Sequence, residues 1–283
     1  MMDRMRQVLQ NMGESSSIRD IRTVAGGSIS DAYAVETENR TYFVKNNDRA
    51  PAGMFATEAK GLAFIRETNT IRVPEVYYWD DHGIVMEWIE GRPNQQTDAY
   101  LGRHLACFHQ QQGDKFGFST DNFIGRLPQV NTWQEEWLAF YRDYRLKPQF
   151  ERAEKRGLLP VARARLAQRL LERLSDWIPN DVPPRRLHGD LWGGNWLVGP
   201  GGHPYLIDPA VYFGHHECEL AFTELFGGFS SRMYSAYQEI LPVSSAYEDV
   251  KPLYQLYYLL VHLNLFGESY GAAVDRILKR YVG

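Results

Sequence analysis

The chain has 283 residues, 44% of them hydrophobic, which is enough to bury a sizeable core and favours two lobes over one compact unit. A net charge of −4 argues against a nucleic-acid or anionic-membrane binder, so a small molecule is the expected partner. The segment 1–22 lacks a signal-peptide core, and the most apolar stretch, 256–266, is broken by His262 and Asn264 and is too short for a bilayer. A soluble, cytoplasmic protein is therefore expected. Cys107 and Cys218 make no disulfide framework and read as buried thiols.

In chain order, 18–24, 32–37 and 41–45 read as three strands. Between the first two lies Ala25-Gly26-Gly27-Ser28-Ile29-Ser30, where missing Cβ atoms at Gly26 and Gly27 let backbone N–H groups, that of Ser28 included, approach phosphate oxygens. A helix follows over 55–67 and places Glu58 on the face of Leu62 and Ile65. A carboxylate on an apolar face is costly unless paired. Lys45, ending the third strand, is its natural partner, and the pair would hold the ammonium toward the α- and β-phosphates of a nucleotide. Two more strands, 73–79 and 84–89, flank the turn 80–83. Glu87-Trp88-Ile89 then passes into a Gly-containing connector, the expected hinge, where backbone groups would meet an adenine edge. Residues 1–88 thus read as a nucleotide-binding lobe and 89–283 as a catalytic and substrate-binding lobe.

Beyond residue 95 the chain reads as mainly helical, with apolar spacings of three and four over 100–112, 134–144, 161–177, 217–226 and 253–265. The basic residues of 142–173 alternate with acidic and apolar ones, as on a solvated helical face. A hairpin interrupts the helices: 195–198 and 204–207 are β-rich and separated by Gly199-Pro200-Gly201-Gly202. It brings Asn195 and Asp208 about one strand spacing apart, roughly 5 Å. Two adjacent oxygen ligands suit Mg²⁺, which fills its shell with water and phosphate oxygens. Asp190, five positions before Asn195, is then placed to accept a substrate hydroxyl's proton during attack on a γ-phosphate. Trp192 is a candidate for stacking on a sugar face, and His215 a second substrate contact. The run His215-His216-Glu217-Cys218-Glu219 looks metal-like, but a helix start with acidic residues near its N-terminus fits better than zinc. His104 and His109 read as packing or capping groups.

Gly loop, Lys, Glu, hinge, Asp, Asn and Asp in this order resemble the protein-kinase-like fold in its small-molecule branch, which includes aminoglycoside phosphotransferases and choline kinases. The expected class is α+β and bilobal, a small β-rich N-lobe with one helix and a larger, mainly helical C-lobe. More specific runs are Lys115-Phe116-Gly117-Phe118, Asn122-Phe123-Ile124-Gly125, Pro128-Gln129-Val130-Asn131-Thr132-Trp133, Leu187 to Asn195, and Asp208-Pro209-Ala210-Val211-Tyr212-Phe213-Gly214-His215. They resemble the fructosamine kinase (ketosamine-3-kinase) family over nearly the whole chain. That resemblance implies ATP-dependent phosphorylation of the C3 hydroxyl of a ketosamine, free or protein-bound. It gives Asp190 the role of base, Asn195 and Asp208 that of Mg²⁺ ligands, and Lys45 and Glu58 that of the phosphate-orienting pair. Three departures stand out. The Gly loop lacks the full G-x-G-x-x-G, Asp208 precedes Pro-Ala in place of Phe-Gly, and Ser28-Ile29 replace the loop Cys of some eukaryotic members. A loop disulfide and an in/out switch at Asp208 are therefore not expected. A kinase of an aminoglycoside or choline is the alternative. A pseudokinase scaffold is opposed by intact Lys45, Asp190, Asn195 and Asp208.

Overall fold

Alternation along the early strands decides which face of the first sheet packs on which helix. In the computed structural model, which describes residues 2–24 and 30–283 with side chains from Arg4, five antiparallel strands run in the order β1-β2-β3-β5-β4. They are β1 (Ile18–Thr23), β2 (Asp31–Thr37), β3 (Thr41–Asn46), β4 (Val76–Asp80) and β5 (Gly83–Glu87). Tyr42 and Val44 of β3 pack with Val35 and Val85 beneath Met5, Val8 and Leu9 of helix α1 (Met2–Asn11). Period two then turns Phe43 and Lys45 to the opposite face. Helix α2 (Met54–Arg66) packs there through Phe55, Leu62 and Ile65 and brings Glu58 with it. Helix α1 was not among the expected elements, although Met5, Val8 and Leu9 carry helical spacing. Gly26, Gly27 and Ser28 lie outside the described residues.

The remainder is built around α9 (Tyr247–Phe266), buried nearly all round, on which α7 (His216–Leu225) and α10 (Gly271–Val282) pack, with α6 (Val161–Arg173) against α10 and α3 (Thr97–Gln110) against α8 (Ser231–Gln238). Helix α9 starts six residues before the expected position and runs through Pro252. The single helix expected over 134–144 is replaced by α4 (Trp137–Phe140), a π-helical segment Tyr141–Leu146 and α5 (Lys147–Lys155). The wider turn carries Arg145 into the core, over the rings of Phe140 and Tyr212 at 4.5 and 4.0 Å. No helix among the described residues is long and apolar enough to cross a membrane. Both cysteines are free; Cys218 is buried, while Cys107 is only partly so, short of the burial expected for it.

Three two-stranded ribbons stand between the sheet and the helices. Strand β8 (Arg185–Leu187) pairs with β11 (Tyr212–Gly214), and β9 (Trp196–Val198) with β10 (Pro204–Leu206), the expected hairpin. The third, β6 (Asn122–Ile124) with β7 (Leu127–Gln129), explains the run of polar residues singled out in the sequence. Its side chains form a buried network on the 208–211 segment. Gln129 Nε2 donates to Asn122 Oδ1 (2.8 Å) and to the Ala210 carbonyl (3.0 Å), Asn122 Nδ2 donates to the Val211 carbonyl (2.8 Å), and Tyr257 donates to Gln129 Oε1 (2.6 Å). Asn131 joins through Asn122, and Arg145 Nη2 donates to Asn131 Oδ1 at 2.7 Å. A fully connected buried network rigidifies what it touches, and a broken one strands its members. Gln129→Leu is therefore expected to lower unfolding stability by about 2–3 kcal/mol, since it orphans the Tyr257 hydroxyl and one Asn122 bond. Chemical denaturation measures it, and a midpoint equal to the native protein's would contradict the role given to the network.

Candidate active site

Leu187 ends β8, and the next three residues are positioned by hydrogen bonds from three directions. Gly189 has φ +85°, and a Cβ there would sit 2.0 Å from the Ala210 carbonyl oxygen, so only glycine fits. His188 clamps the 207–210 segment: its carbonyl accepts the Ala210 N–H (2.8 Å) and its Nε2 lies 2.8 Å from the Ile207 carbonyl. Nε2 must then donate, which leaves Nδ1 to accept the Asp190 N–H at 3.3 Å. Burial keeps this imidazole below its usual pKa, in the neutral tautomer the clamp needs.

Glu219, in the first turn of α7 and fully buried, accepts the N–H of His188 (3.0 Å) and of Gly189 (2.5 Å). Its Oε2 also meets His109 Nε2 at 2.7 Å, and His109 Nδ1 meets the Tyr237 hydroxyl at 2.7 Å. Burial opposes the charge on Glu219, yet His109, His188 and the Gly189 N–H together hold its carboxyl below the usual range. The loop carrying Asp190 is thus held by a carboxylate 29 residues downstream and a histidine of α3. Sequence reading gave Glu219 only a helix-dipole role and left His109 as a packing group.

Asn195 Nδ2 donates to the Asp190 carbonyl at 2.7 Å, which turns the amide oxygen of Asn195 outward with no partner among the described residues. Across the ribbon, the Ile207 N–H donates to the Asn195 carbonyl (3.0 Å), setting Asp208 beside it as the hairpin predicts. Asp208 is held at φ +56°, a left-handed conformation unusual for a non-glycine residue and more so before Pro209. Its carboxylate meets Lys45 Nζ, which also donates to Glu58 at 2.7 Å. Burial disfavours the ammonium, but Asp208 and Glu58 outweigh it and keep Lys45 charged. Burial and the charge of Asp208 push the Asp190 carboxyl well above the ordinary carboxylate range. Strain and shifted proton affinities gathered at one place mark a functional site.

These groups share one cavity of ≈ 330 Å³, with Lys45, Glu58, Asp190, Trp192, Asn195 and Asp208 on its wall and Glu87, Trp88 and Ile89 on its hinge side. The Glu87 N–H is taken by the Glu75 carbonyl (2.8 Å) and is not open to an adenine, a correction to the expected hinge contacts. The Ile89 N–H has no partner among the described residues. Trp192, 41% exposed, folds its indole over Gly194, where a Cβ would lie 2.3 Å from it. His215 does not line the cavity: it is buried, its Nδ1 2.9 Å from the Tyr254 hydroxyl, and core packing replaces its expected substrate contact. Potential ligand atoms of His215, His216 and Glu217 lie within 4.8 Å of one another, but Glu217 is committed to the N–H and hydroxyl of Ser244, as a structural helix start requires.

The family model described as Fructosamine kinase matches residues 1–283. The chain belongs to the fructosamine kinase family. Among its curated relatives in this family is a probable ketoamine kinase of Enterococcus faecium, 40% identical over 263 residues, covering 91% of this chain and 94% of the relative. A chloroplastic protein-ribulosamine 3-kinase of Oryza sativa subsp. japonica is 37% identical over 288 residues, covering 99% and 84%. The crystal structure of a candidate fructosamine-3-kinase from Thermobifida fusca superposes with a TM-score of 0.88 at 34% identity, covering 97% and 96% of the two chains. An aminoglycoside phosphotransferase reaches a TM-score of 0.65 at 18% identity, covering 100% and 99%, and shares the fold alone. The bilobal α+β, protein-kinase-like class read from the sequence agrees with both.

Glu219→Gln leaves one backbone N–H of the Asp190 loop facing an amide NH₂. Misplacing a reacting group by about 1 Å costs on the order of 100-fold in rate. Steady-state kinetics on this variant are expected to show a kcat loss of that order with the ATP KM changed far less. A matched rise in ATP KM with unaltered kcat would instead place the effect in nucleotide binding.

Proposed function

We propose that this chain is an ATP- and Mg²⁺-dependent kinase that phosphorylates the C3 hydroxyl of ketosamines, the first step in removing the sugar from a glycated amine. One observation carries the reading: Asp190, Asn195, Asp208, Lys45 and Glu58, drawn from distant parts of the sequence, line the same cavity. The names of the ketoamine kinase and ribulosamine 3-kinase relatives support the substrate class.

In this reading residues 1–88 bind the nucleotide and 89–283 supply catalysis and the acceptor site. The Ile89 N–H is the open hinge donor for adenine, Trp88 closes the cleft wall, and Lys45, held by Glu58, directs its charge at the phosphates. Gly26, Gly27 and Ser28 are retained as phosphate-loop candidates. The outward amide oxygen of Asn195 and the Asp208 carboxylate form the all-oxygen donor pair that Mg²⁺ takes, and the ion would neutralise charge on the phosphates. Asp190 takes the hydroxyl proton as attack proceeds. Trp192 offers an aromatic face to the C–H side of the sugar. The free cysteines suit the cytoplasm.

ATP consumption with Mg²⁺ and synthetic fructosamine or ribulosamine, run beside kanamycin and choline, tests the substrate class. Turnover of at least one ketosamine, well above the other alcohols, is expected. Turnover of kanamycin or choline with neither ketosamine consumed would overturn the reading.

A further inference from the structure

A second cleft, of ≈ 490 Å³, shares Glu87 with the nucleotide cavity and none of its other lining residues. Arg66 and Arg72, at the end of α2 and in the connector to β4, face it from one lobe, and His104 of α3 and His203 of the β9–β10 turn face it from the other. The two sides are fixed to each other where the Leu206 N–H donates to the Arg72 carbonyl at 2.9 Å.

The charges in this cleft do not balance. Arg66 Nη2 donates to the Pro74 carbonyl, which holds the guanidinium in place without neutralising it. Arg72 lies over the Tyr205 ring, 5.8 Å from its centroid, and neither arginine forms an ion pair among the described residues. Glu87 is the one carboxylate on the wall, and its Oε2 already accepts the Glu75 N–H at 3.2 Å. The rings of Tyr100, His203 and His104 stack with planes within 9° of parallel, and Nδ1 of both histidines is buried with no hydrogen-bond partner. Burial, the neighbouring His203 and Arg72 all hold His104 below its usual pKa. A cation would be repelled here, whereas an anion would relieve the crowding of positive groups. Guanidinium groups favour oxyanions with several acceptor oxygens, and Thr70 also lines the cleft, its hydroxyl 2.8 Å from that of Thr68.

We propose that this cleft is a binding site for a small phosphate-type oxyanion, free or carried on a sugar. Such a ligand spans both sides of the cleft behind the hinge segment, where Glu87 separates it from the nucleotide cavity. The site does not depend on which alcohol the enzyme phosphorylates.

The test is calorimetric titration of the full chain with inorganic phosphate and, separately, with ribose 5-phosphate. Mg²⁺ and a non-hydrolysable ATP analogue are present throughout to fill the nucleotide cavity. Saturable binding of at least one ligand is expected, weakened by about tenfold or more in the Arg66→Gln/Arg72→Gln variant as two charged donors are lost. Binding of inorganic phosphate identifies the free ion as sufficient, and binding of ribose 5-phosphate alone identifies the sugar-borne group. His203→Asn, which leaves both arginines in place, is a second variant expected to bind more weakly, and thermal unfolding of each variant checks that it folds. No saturable binding below about 10 mM, or folded variants that bind as tightly as the native chain, would overturn the proposal.

Discussion

The ammonium of Lys45 ties the sheet to the segment after β10. It is held by Glu58 of α2 and by Asp208 from the loop after β10, so one cation joins the sheet, its packed helix and the 207–211 segment. Lys45 and Glu58 are largely withdrawn from water, which is unfavourable unless each is paired, and loss of the lysine would leave Glu58 buried without its counter-charge. The arrangement also asks Asp208 to adopt a strained left-handed backbone before a proline. That strain persists because its surroundings over-determine it. His188 grips Ile207 and Ala210 from one side, and Gln129 and Asn122 grip Ala210 and Val211 from the other.

Support for Asp190 follows the same logic. Its loop has little regular structure of its own, and its backbone donors would be orphaned in a dry site without Glu219. A buried carboxylate there satisfies two of them and is itself satisfied by His109, which in turn meets Tyr237. The helical part thus holds Asp190 through a chain of polar contacts, while Lys45 reaches Asp208 from the sheet. Both chains of contacts end at one cavity.

Much of this was legible in the residues. Glu58 betrayed its partner because a carboxylate on an apolar helix face needs one, and the Gly-Pro-Gly-Gly turn forced Asn195 and Asp208 together. What escaped sequence reading depends on contacts between distant segments. Glu219 sits 29 positions after Asp190, and the same acidic residue at a helix start would look identical if it only faced a dipole. The Asn122 to Asn131 run was recognisable as specific, but nothing in it says that its amides close on the 208–211 backbone. His215 misled in the opposite direction: expected at the substrate, its ring is committed to Tyr254. The wide turn at 141–146 was hidden because a π segment has no period that separates it from an α-helix.

In the proposed mechanism Asp190 moves the proton while the groups around it bind and orient the nucleotide. Asp190→Asn keeps the size and most hydrogen bonds of the side chain but removes its basicity. Single-turnover assays beside equilibrium ATP binding are the direct measurement. Phosphoryl transfer should fall by about 10²–10⁴-fold with ATP affinity little changed. Transfer at the native rate in that variant would contradict the assignment of Asp190 as the base.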